Sequence, residues 1–188
     1  MKKIYIVTTF TGTLLSCLIR NISKTPYAHV SIALNEYLRP MYSFGRLNPK
    51  TPIFAGFVEE NINEGLYAIR TNTMCRVYSL MVTERQYEKL KENIDNVSIN
   101  RKQYVYDVKA LVYLSVNKPR KKDYKYVCSH FVADMLKRSE INILDKEPHQ
   151  VRPNDFYDLC DLELEYEGLL SNYYVKDKVH NIGDVVKI

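Results

Sequence analysis

The sequence predicts an α+β domain with a mainly antiparallel sheet packed against helices. Short strand patterns cluster before and after segments whose apolar residues recur three and four positions apart. The chain has 188 residues, which suits one domain with a sizeable core. It contains no internal repeat, low-complexity tract or linker, so we expect residues 1–188 to form a single domain.

The first half is predicted to be rich in strands. Strict alternation places Val30, Ile32 and Leu34 on one face of a strand, opposite His29 and Ser31. Strands are expected at residues 3–8, 28–34, 40–44, 66–70 and 75–82. A short helix is expected at residues 13–22, and the prolines and glycines of residues 45–56 predict a long loop.

The second half is predicted to alternate helices and strands. Thr83 to Gln86 has the form of a capping box, which opens a helix that runs to about Ile94. Further helices are expected from about Asp107 to Val116 and from the segment at Cys128 to about Ser139. A turn of helix at residues 153–155, a half-exposed strand at 162–167 and a last strand pair at 170–175 complete the prediction.

Composition and charge exclude several classes of protein. The net charge of +5 is modest and scattered, unlike the concentrated stripe of a nucleic-acid-binding protein. The four cysteines lie far apart with no CxxC pair, which argues against a zinc site and a dense disulfide framework and favours reduced thiols in the cytoplasm. The apolar N-terminus imitates a secretory signal, but threonines interrupt it and Arg20 follows closely. No segment approaches the roughly 20 apolar residues of a membrane span.

Cys128 is the first candidate for chemistry. It precedes Phe131 and Val132 by three and four positions, so it begins the buried stripe of its helix. The unpaired N–H groups and the positive dipole at a helix start favour thiolate over thiol. The alternative is that Cys128 is a small buried apolar residue, as many free cysteines are.

A cysteine nucleophile requires a base, usually histidine, within hydrogen-bonding reach. His130 is two positions from Cys128, about 200° around the helix, so it points away. His149 and His180 lie in polar segments and are expected to be exposed. His29 starts a strand of otherwise apolar and small residues, where it serves either as the base or as a structural histidine.

Two segments resemble the signatures of permuted papain-like thiol hydrolases, the superfamily of NlpC-type cell-wall peptidases and lecithin:retinol acyltransferase-like enzymes. Residues 25–34 (TPYAHVSIAL) resemble the "SHVGI"-type histidine strand, and residues 127–133 (VCSHFVA) resemble the "CSEFV"-type cysteine helix. Histidine precedes cysteine, as in the permuted branch. The resemblance covers about residues 3–140 and implies a circularly permuted papain-like fold with Cys128 as nucleophile and His29 as base.

The resemblance also implies a polar group on the next strand that orients the imidazole. Ser43 stands at that position, where a histidine or glutamate is usual, and serine supplies no negative charge. The orienting group is therefore Ser43 in a weaker site, or a residue from elsewhere. Tyr27 and Ser129, which flank the two key residues, are expected to contact substrate, although Tyr27 also suits ordinary aromatic packing.

The expected function is a cysteine-dependent hydrolase or acyltransferase that acts on an amide or ester bond of a peptide, peptidoglycan fragment or lipid. No cofactor or metal is expected, and the expected partner is the substrate, without nucleic acid or a membrane span. The lack of an export signal favours a cytoplasmic location over direct action on an external cell wall. The alternative is a non-catalytic binding protein on the same fold, which the missing charged group at Ser43 favours; a nucleic-acid-binding module has only the modest positive charge in its favour.

Overall fold

A computed structural model describes residues 1–12, 26–48, 51–115, 118–119, 122–157 and 159–173. The fold is α+β, with a six-stranded antiparallel sheet in the order β4-β3-β2-β1-β5-β8. These strands are β1 (Lys2–Phe10), β2 (His29–Ala33), β3 (Met41–Asn48), β4 (Thr51–Glu60), β5 (Met74–Val82) and β8 (Glu163–Leu169). Two further strands, β6 (Val105–Tyr106) and β7 (Lys125–Tyr126), form a short parallel pair.

Four α-helices are given bounds within the described residues: α1 (Gly65–Ile69), α2 (Glu84–Ile99), α3 (Val108–Ser115) and α4 (Cys128–Arg138). The predicted capping box of α2 is confirmed, since the Thr83 side chain accepts from the Gln86 N–H and the Gln86 side chain accepts from the Thr83 N–H. Short 3₁₀ turns occupy Arg101–Gln103, Pro148–Gln150 and Pro153–Phe156. None of the helices in the described ranges is long and apolar enough to cross a membrane.

The sheet has a buried cluster on each side. The larger cluster packs α2 and α4 against one face, and Phe44 and Phe131 are among its fully buried side chains. The smaller cluster on the other face includes Val7, Met41 and Tyr67. Because α4 starts with Cys128, its packing in the larger cluster fixes the position of the thiol.

The strands β2 and β3 share few backbone pairs. Within the described residues, their register joins only Ile32 to Tyr42 and Ala33 to Met41. Closer to the start of β2, the Ser43 hydroxyl donates to the Val30 carbonyl at 2.7 Å and bridges the two strands. The start of β2, where His29 lies, is therefore less tightly paired to β3 than its end is.

The antiparallel character of the sheet and most of its elements match the prediction, but three segments differ. Residues 45–56 were expected to be a loop, yet β3 continues to Asn48 and β4 begins at Thr51. Pro52 is tolerated because β4 is an edge strand, where one side of the backbone needs no partner.

The strand expected at residues 66–70 is the helix α1, in which only Tyr67 is buried. Short apolar runs fit a helix or a strand equally well, so local pattern could not separate the two. Residues 170–173 are helical, not part of a strand pair, while positions 174–175 and the helix expected at 13–22 lie outside the described residues.

Candidate active site

Cys128 is the first residue of α4 and is only 4% exposed. Val127 precedes it in an extended conformation, and its carbonyl accepts the first helical hydrogen bond from the Phe131 N–H at 3.0 Å. The buried stripe of Phe131 and Met135 holds the helix against the sheet, as its sequence pattern predicts. The Cys128 sulfur therefore lies at a fixed point beside the free N–H groups of the first turn.

His29 forms an ion pair with a carboxylate that the sequence analysis did not identify. The His29 Nε2 atom lies 2.9 Å from Glu60 Oε1, and both side chains are largely buried. Glu60 is the last residue of β4, whereas His29 is the first of β2. The group that orients the imidazole is thus a glutamate. The resemblance implies such a residue on the strand after β2, which is β3, but Glu60 belongs to β4.

Other donors hold the Glu60 carboxylate in place. The Ser31 hydroxyl donates to Glu60 Oε2 at 2.5 Å and also lies 3.2 Å from His29 Nε2. The Tyr67 hydroxyl donates to the same carboxylate oxygen at 3.4 Å and lies 3.4 Å from Thr9 Oγ1. Burial, and then the charge of Glu60, raise the pKa of Tyr67 well above its ordinary value, so Tyr67 remains a donor.

The strand register places these side chains on the same face of the sheet, since Glu60 pairs with Met41 and Met41 pairs with Ala33 of β2. His29 and Ser31 share one face of β2 because alternate residues of a strand point the same way. Glu60 is paired with Met41 of β3, next to β2 in the sheet. A Cβ placed on Gly45 of β3 would lie 3.5 Å from His29 Cε1 and 3.7 Å from Glu60 Oε1. These are ordinary van der Waals distances, so Gly45 packs beside the imidazole and its carboxylate.

The electrostatics favour a charged imidazole. Burial alone would lower the pKa of His29, but the charge of Glu60 and the hydrogen bond with Cys128 outweigh it and raise that pKa well above 6.5. Burial likewise opposes the charged form of Glu60, yet His29, Ser31 and Tyr67 together lower the pKa of Glu60 below its ordinary value. The carboxylate therefore stays ionised beside a ring that readily holds a proton.

The structure brings Cys128 and His29 together, although 99 residues separate them in the sequence. The Cys128 thiol is close enough to contribute, by hydrogen bonding and by charge, to the raised pKa of His29. Since Nε2 faces Glu60, Nδ1 is the ring nitrogen that remains for the sulfur. Cys128, His29 and Glu60 thus form a continuous chain of thiol, imidazole and carboxylate, the arrangement of a nucleophile with an oriented base.

The three other predicted site residues have different roles. Ser43 is not the orienting residue, because its buried hydroxyl donates to the Val30 carbonyl and Glu60 holds the imidazole instead. Ser129 does not face a cleft, because it is buried and donates to the Val151 carbonyl at 2.6 Å.

Tyr27 packs as an aromatic residue, the alternative that its sequence position left open. Its side chain is buried, its ring meets the Tyr157 ring edge-on at 5.8 Å, and its hydroxyl donates to Glu167 at 3.1 Å. These contacts tie residues just before β2 to β8. Tyr27 therefore supports the position of His29 indirectly and is not exposed to a substrate.

The remaining histidines lie apart from this chain of three residues. The His130 ring packs on Tyr126 with centroids 4.5 Å apart, on the side of α4 away from Cys128, as its helical position predicts. His149 is half-buried in a 3₁₀ turn, not exposed as expected, and its ring centroid is 6.4 Å from that of His130. His180 lies outside the described residues.

Glu60 and Tyr67 are the site residues that the sequence analysis missed. Tyr67 belongs to a segment that was predicted to be a strand, and Glu60 ends a strand whose first residues were predicted to be a loop. The available signal was the apolar run from Ile53 to Val58, which is long enough for a strand that ends at Glu60. In the described part of the chain, no group of three or more His, Cys, Asp or Glu side chains is arranged to hold a metal ion.

Two comparisons with known proteins found no relative of this chain. No protein-family model matches the chain, and a search of curated proteins returns no match. The geometry of Cys128, His29 and Glu60 is therefore the basis for a functional assignment.

Proposed function

We propose that this protein is a cysteine-dependent hydrolase or acyltransferase of the permuted papain-like type. The observation that carries the proposal is the buried His29–Glu60 ion pair, whose imidazole pKa is raised in part by the neighbouring Cys128 thiol. A substrate would be an amide or ester of a peptide, a peptidoglycan fragment or a lipid. The circularly permuted papain-like arrangement is part of the same proposal.

The first half-reaction forms an acyl-enzyme. The Cys128 sulfur attacks the carbonyl carbon, and the Cys128 backbone N–H donates to the developing oxyanion. The proton held by His29 passes to the leaving nitrogen or oxygen as its bond to the carbonyl carbon breaks. Glu60 stabilises the protonated ring before this transfer and keeps Nδ1 directed at the sulfur.

The second half-reaction restores the enzyme. His29 takes a proton from a water molecule or an acceptor alcohol or amine, whose oxygen or nitrogen attacks the thioester. Collapse of the tetrahedral intermediate releases the acyl product and returns the sulfur to its thiolate form, with the proton on His29. The identity of the attacking group decides between hydrolase and transferase.

Glu60 also bears on the alternative of a non-catalytic binding protein. That alternative drew its support from the lack of a negative charge at the imidazole, and Glu60 supplies one. The burial of Cys128 is the feature that still favours a binding protein, because a substrate must displace neighbouring atoms to reach the sulfur. Turnover is therefore the property that separates the two functions.

The test is turnover of a panel of activated esters and amides by the parent protein, Cys128→Ala, His29→Ala and the double variant. We expect each single variant to lose on the order of a thousandfold or more in kcat/KM. The double variant should lose no more than either alone, because the two residues act as a unit.

The matched controls are Cys75→Ala and His130→Ala, which remove a buried cysteine in β5 and a histidine on the far side of α4. Both should retain activity within about threefold, in line with the small effects expected of residues that do not act in the reaction. If the parent protein and Cys128→Ala are indistinguishable on every substrate while the protein still binds a ligand, the alternative of a binding protein is favoured.

A further inference from the structure

A cavity of about 350 Å³ opens on the side of α4 that carries His130. His130, Asp134 and Arg138 line it and follow one another at intervals of four residues, so they share one face of the helix. Among the described residues, its lining includes neither Cys128 nor His29, so the cavity is separate from the candidate active site. Its volume lies within the range of small-molecule sites, roughly 300–1,000 Å³.

The floor of the cavity is a closed group of three polar side chains, Tyr126, Asp134 and Arg138. The Tyr126 hydroxyl donates to Asp134 Oδ2 at 2.5 Å and accepts from Arg138 Nη2 at 3.1 Å. The same nitrogen lies 2.8 Å from Asp134 Oδ2, and the His130 ring packs on the Tyr126 ring. Because the three groups bond to one another, the floor is fixed and carries no net charge.

One wall of the cavity is the Tyr124 ring, which the backbone presents in an unusual conformation. Tyr124 has a φ of 58°, a left-handed value that is strained for a bulky residue, and it is 57% exposed. Its carbonyl accepts from the Val105 N–H at 2.9 Å. Its ring meets the Tyr104 ring at 60° with centroids 5.5 Å apart, and Tyr104 in turn packs on Phe44 of the core. The protein thus holds a large aromatic ring in solvent despite backbone strain, which is typical of a binding surface.

The rim of the cavity carries one charge of each sign. Asp123 and Lys122 are exposed, and within the described part of the chain neither side chain bonds to another residue. Asp134 and Arg138 of the floor also oppose each other, so two carboxylates and two cations surround the cavity. A phosphate or an ammonium group meets no net attraction there. A neutral ligand with both hydrogen-bond donors and acceptors therefore fits this lining better than an ion does.

A sugar ring has the complementary chemistry. Its C–H groups carry partial positive charge and are attracted to the negative face of an aromatic ring such as that of Tyr124. Its neighbouring hydroxyl groups donate to a carboxylate such as Asp123 and accept from an ammonium group such as Lys122. A nucleobase, by contrast, stacks best in a slot between nearly parallel side chains, and the Tyr104 and Tyr124 rings are 60° apart. These observations favour a saccharide over a base.

We propose that this cavity is a binding site for a neutral saccharide, in which one sugar ring stacks on Tyr124 and its hydroxyl groups bond to Asp123 and Lys122. Tyr104 keeps the Tyr124 ring in position. Because the rim is exposed, a longer saccharide continues from the cavity into solvent. The site goes beyond the hydrolase or acyltransferase function above and does not depend on it, since binding needs no turnover.

The first experiment measures binding of neutral disaccharides by saturation-transfer-difference NMR. The probes are cellobiose, maltose, lactose and N,N′-diacetylchitobiose. Each is titrated to about 20 mM, because one stacked ring and two exposed hydrogen bonds suit dissociation constants of about 1–10 mM. At least one probe should bind the parent protein in this range. The absence of binding by all four overturns the proposal.

The variant that tests the stacking ring is Tyr124→Gly. It removes the ring, and glycine adopts the left-handed conformation without strain, so the turn is kept. This variant should weaken saccharide binding by roughly tenfold or more. Tyr124→Phe should stay within about twofold of the parent protein, because it keeps the aromatic face. Unchanged binding in Tyr124→Gly overturns the proposal.

The matched control is Tyr37→Ala, because Tyr37 is another exposed tyrosine, at 52%, and does not line the cavity. It should leave binding unchanged, and an equal loss in Tyr37→Ala and Tyr124→Gly overturns the proposal. Adenosine and tetramethylammonium are the competing probes for a base site and a cation site. If either binds more tightly than every disaccharide and loses its binding in Tyr124→Gly, the saccharide class is wrong.

A folding control separates loss of the site from loss of the fold. Circular dichroism and thermal unfolding should show that Tyr124→Gly retains the fold. If that variant unfolds, Asp123→Ala takes its place, because Asp123 is exposed. Asp123→Ala should weaken saccharide binding by about fivefold, whereas Asp145→Ala, which removes another exposed aspartate, should leave it unchanged. Unchanged binding in Asp123→Ala overturns the proposal.

Discussion

Two ion pairs lie next to α4, and their geometry is nearly the same. His29 and Glu60 approach to 2.9 Å near the start of the helix, and Arg138 and Asp134 approach to 2.8 Å on the helix itself. The two carboxylates are similarly buried, with 16% of the Glu60 side chain and 17% of the Asp134 side chain exposed. Each carboxylate also accepts from a tyrosine or serine hydroxyl.

The cations differ, and that difference decides what each pair can do. The Arg138 side chain is 48% exposed and its guanidinium keeps its proton throughout the physiological range, so the pair is a structural contact. The His29 side chain is 19% exposed, and its imidazole can gain and lose a proton beside a thiol. Similar distances thus give a structural contact within the helix in one place and, in the function that we propose, a proton-transfer site in the other, because only the histidine titrates.

The largest difference between the pairs should appear in turnover. Glu60→Gln should lower kcat/KM on any substrate of the panel by about ten- to hundredfold, since the amide still accepts a hydrogen bond but no longer stabilises the charged ring. Asp134→Asn should change it by no more than about twofold. Steady-state kinetics of the two variants test this, and equal losses would mean that Glu60 has only a structural role.

The next largest difference should appear in the rates at which the cysteines are alkylated. Cys128 should react with iodoacetamide at neutral pH faster than Cys17, Cys75 and Cys160, and at least about tenfold faster than Cys75. Burial, and then the charge of Glu167, raise the pKa of Cys75 to about 12, so its thiolate fraction is small. Mass-spectrometric mapping over time measures each rate.

The control for alkylation again compares substitutions of the two cations, His29 and Arg138. His29→Gln should slow labelling of Cys128 because the sulfur loses its neighbouring imidazole, whereas Arg138→Gln should leave it unchanged. Labelling of Cys128 at the rate of Cys75 in the folded parent would remove the support for a nucleophile.

The pH dependence of stability should also distinguish the pairs. The folded pKa of His29 is raised above 6.5, so its contribution is complete below that pH and is lost as pH rises through the folded pKa. The folded pKa of Glu60 is lowered below 4.5, so its contribution is present above that pH and is lost as pH falls through the folded pKa. The His29–Glu60 pair therefore stabilises the fold fully between about pH 4.5 and pH 6.5.

Urea unfolding between about pH 6 and pH 9 measures this effect against the variants His29→Gln and Arg138→Gln. The stability advantage of the parent over His29→Gln should fall by up to about 1.4 kcal/mol per pH unit above pH 6.5, because one proton is released on unfolding. Its advantage over Arg138→Gln should stay flat. A flat difference for His29→Gln would show that the ring does not hold its proton in the folded protein.

The smallest effects should come from the two serines near the His29–Glu60 pair. Ser31→Ala removes the bond to Glu60 and should lower kcat/KM by about fivefold, whereas Ser43→Ala removes the bond to Val30 and should cost about 1 kcal/mol in stability with kcat/KM nearly unchanged. Kinetics and urea unfolding of both variants test this. A larger kinetic loss in Ser43→Ala would restore Ser43 as the orienting residue.

Local sequence patterns were sufficient to predict an element where that element packs against a single buried face or is held by bonds within itself. The alternation around Val30 and Ile32, the stripe that begins at Cys128 and the capping signal at Thr83 all match the structure. Each reflects packing against a single buried face or bonding within four residues, so the neighbouring sequence contains the whole signal. The pairing of His29 with Cys128 was predicted from their chemical types and from the resemblance of the two segments to known signatures.

The positions of Glu60 and of Tyr67, which donates to it, depend on contacts between segments that are far apart in the sequence. Glu60 lies on the same face of the sheet as His29 because β4 pairs with β3 in a register that sets Glu60 beside Met41. Tyr67, which donates to Glu60, is presented by the helix α1. Proline and glycine in residues 45–56 predict a loop locally, but β4, which contains Pro52 and Gly56, is an edge strand and tolerates both. The sequence by itself predicted Cys128 and His29 as the candidate nucleophile and base, and local periodicity predicted the helix and strand that carry them. Only the tertiary structure decided which group orients the base, since strand order and register bring that carboxylate from 31 residues away.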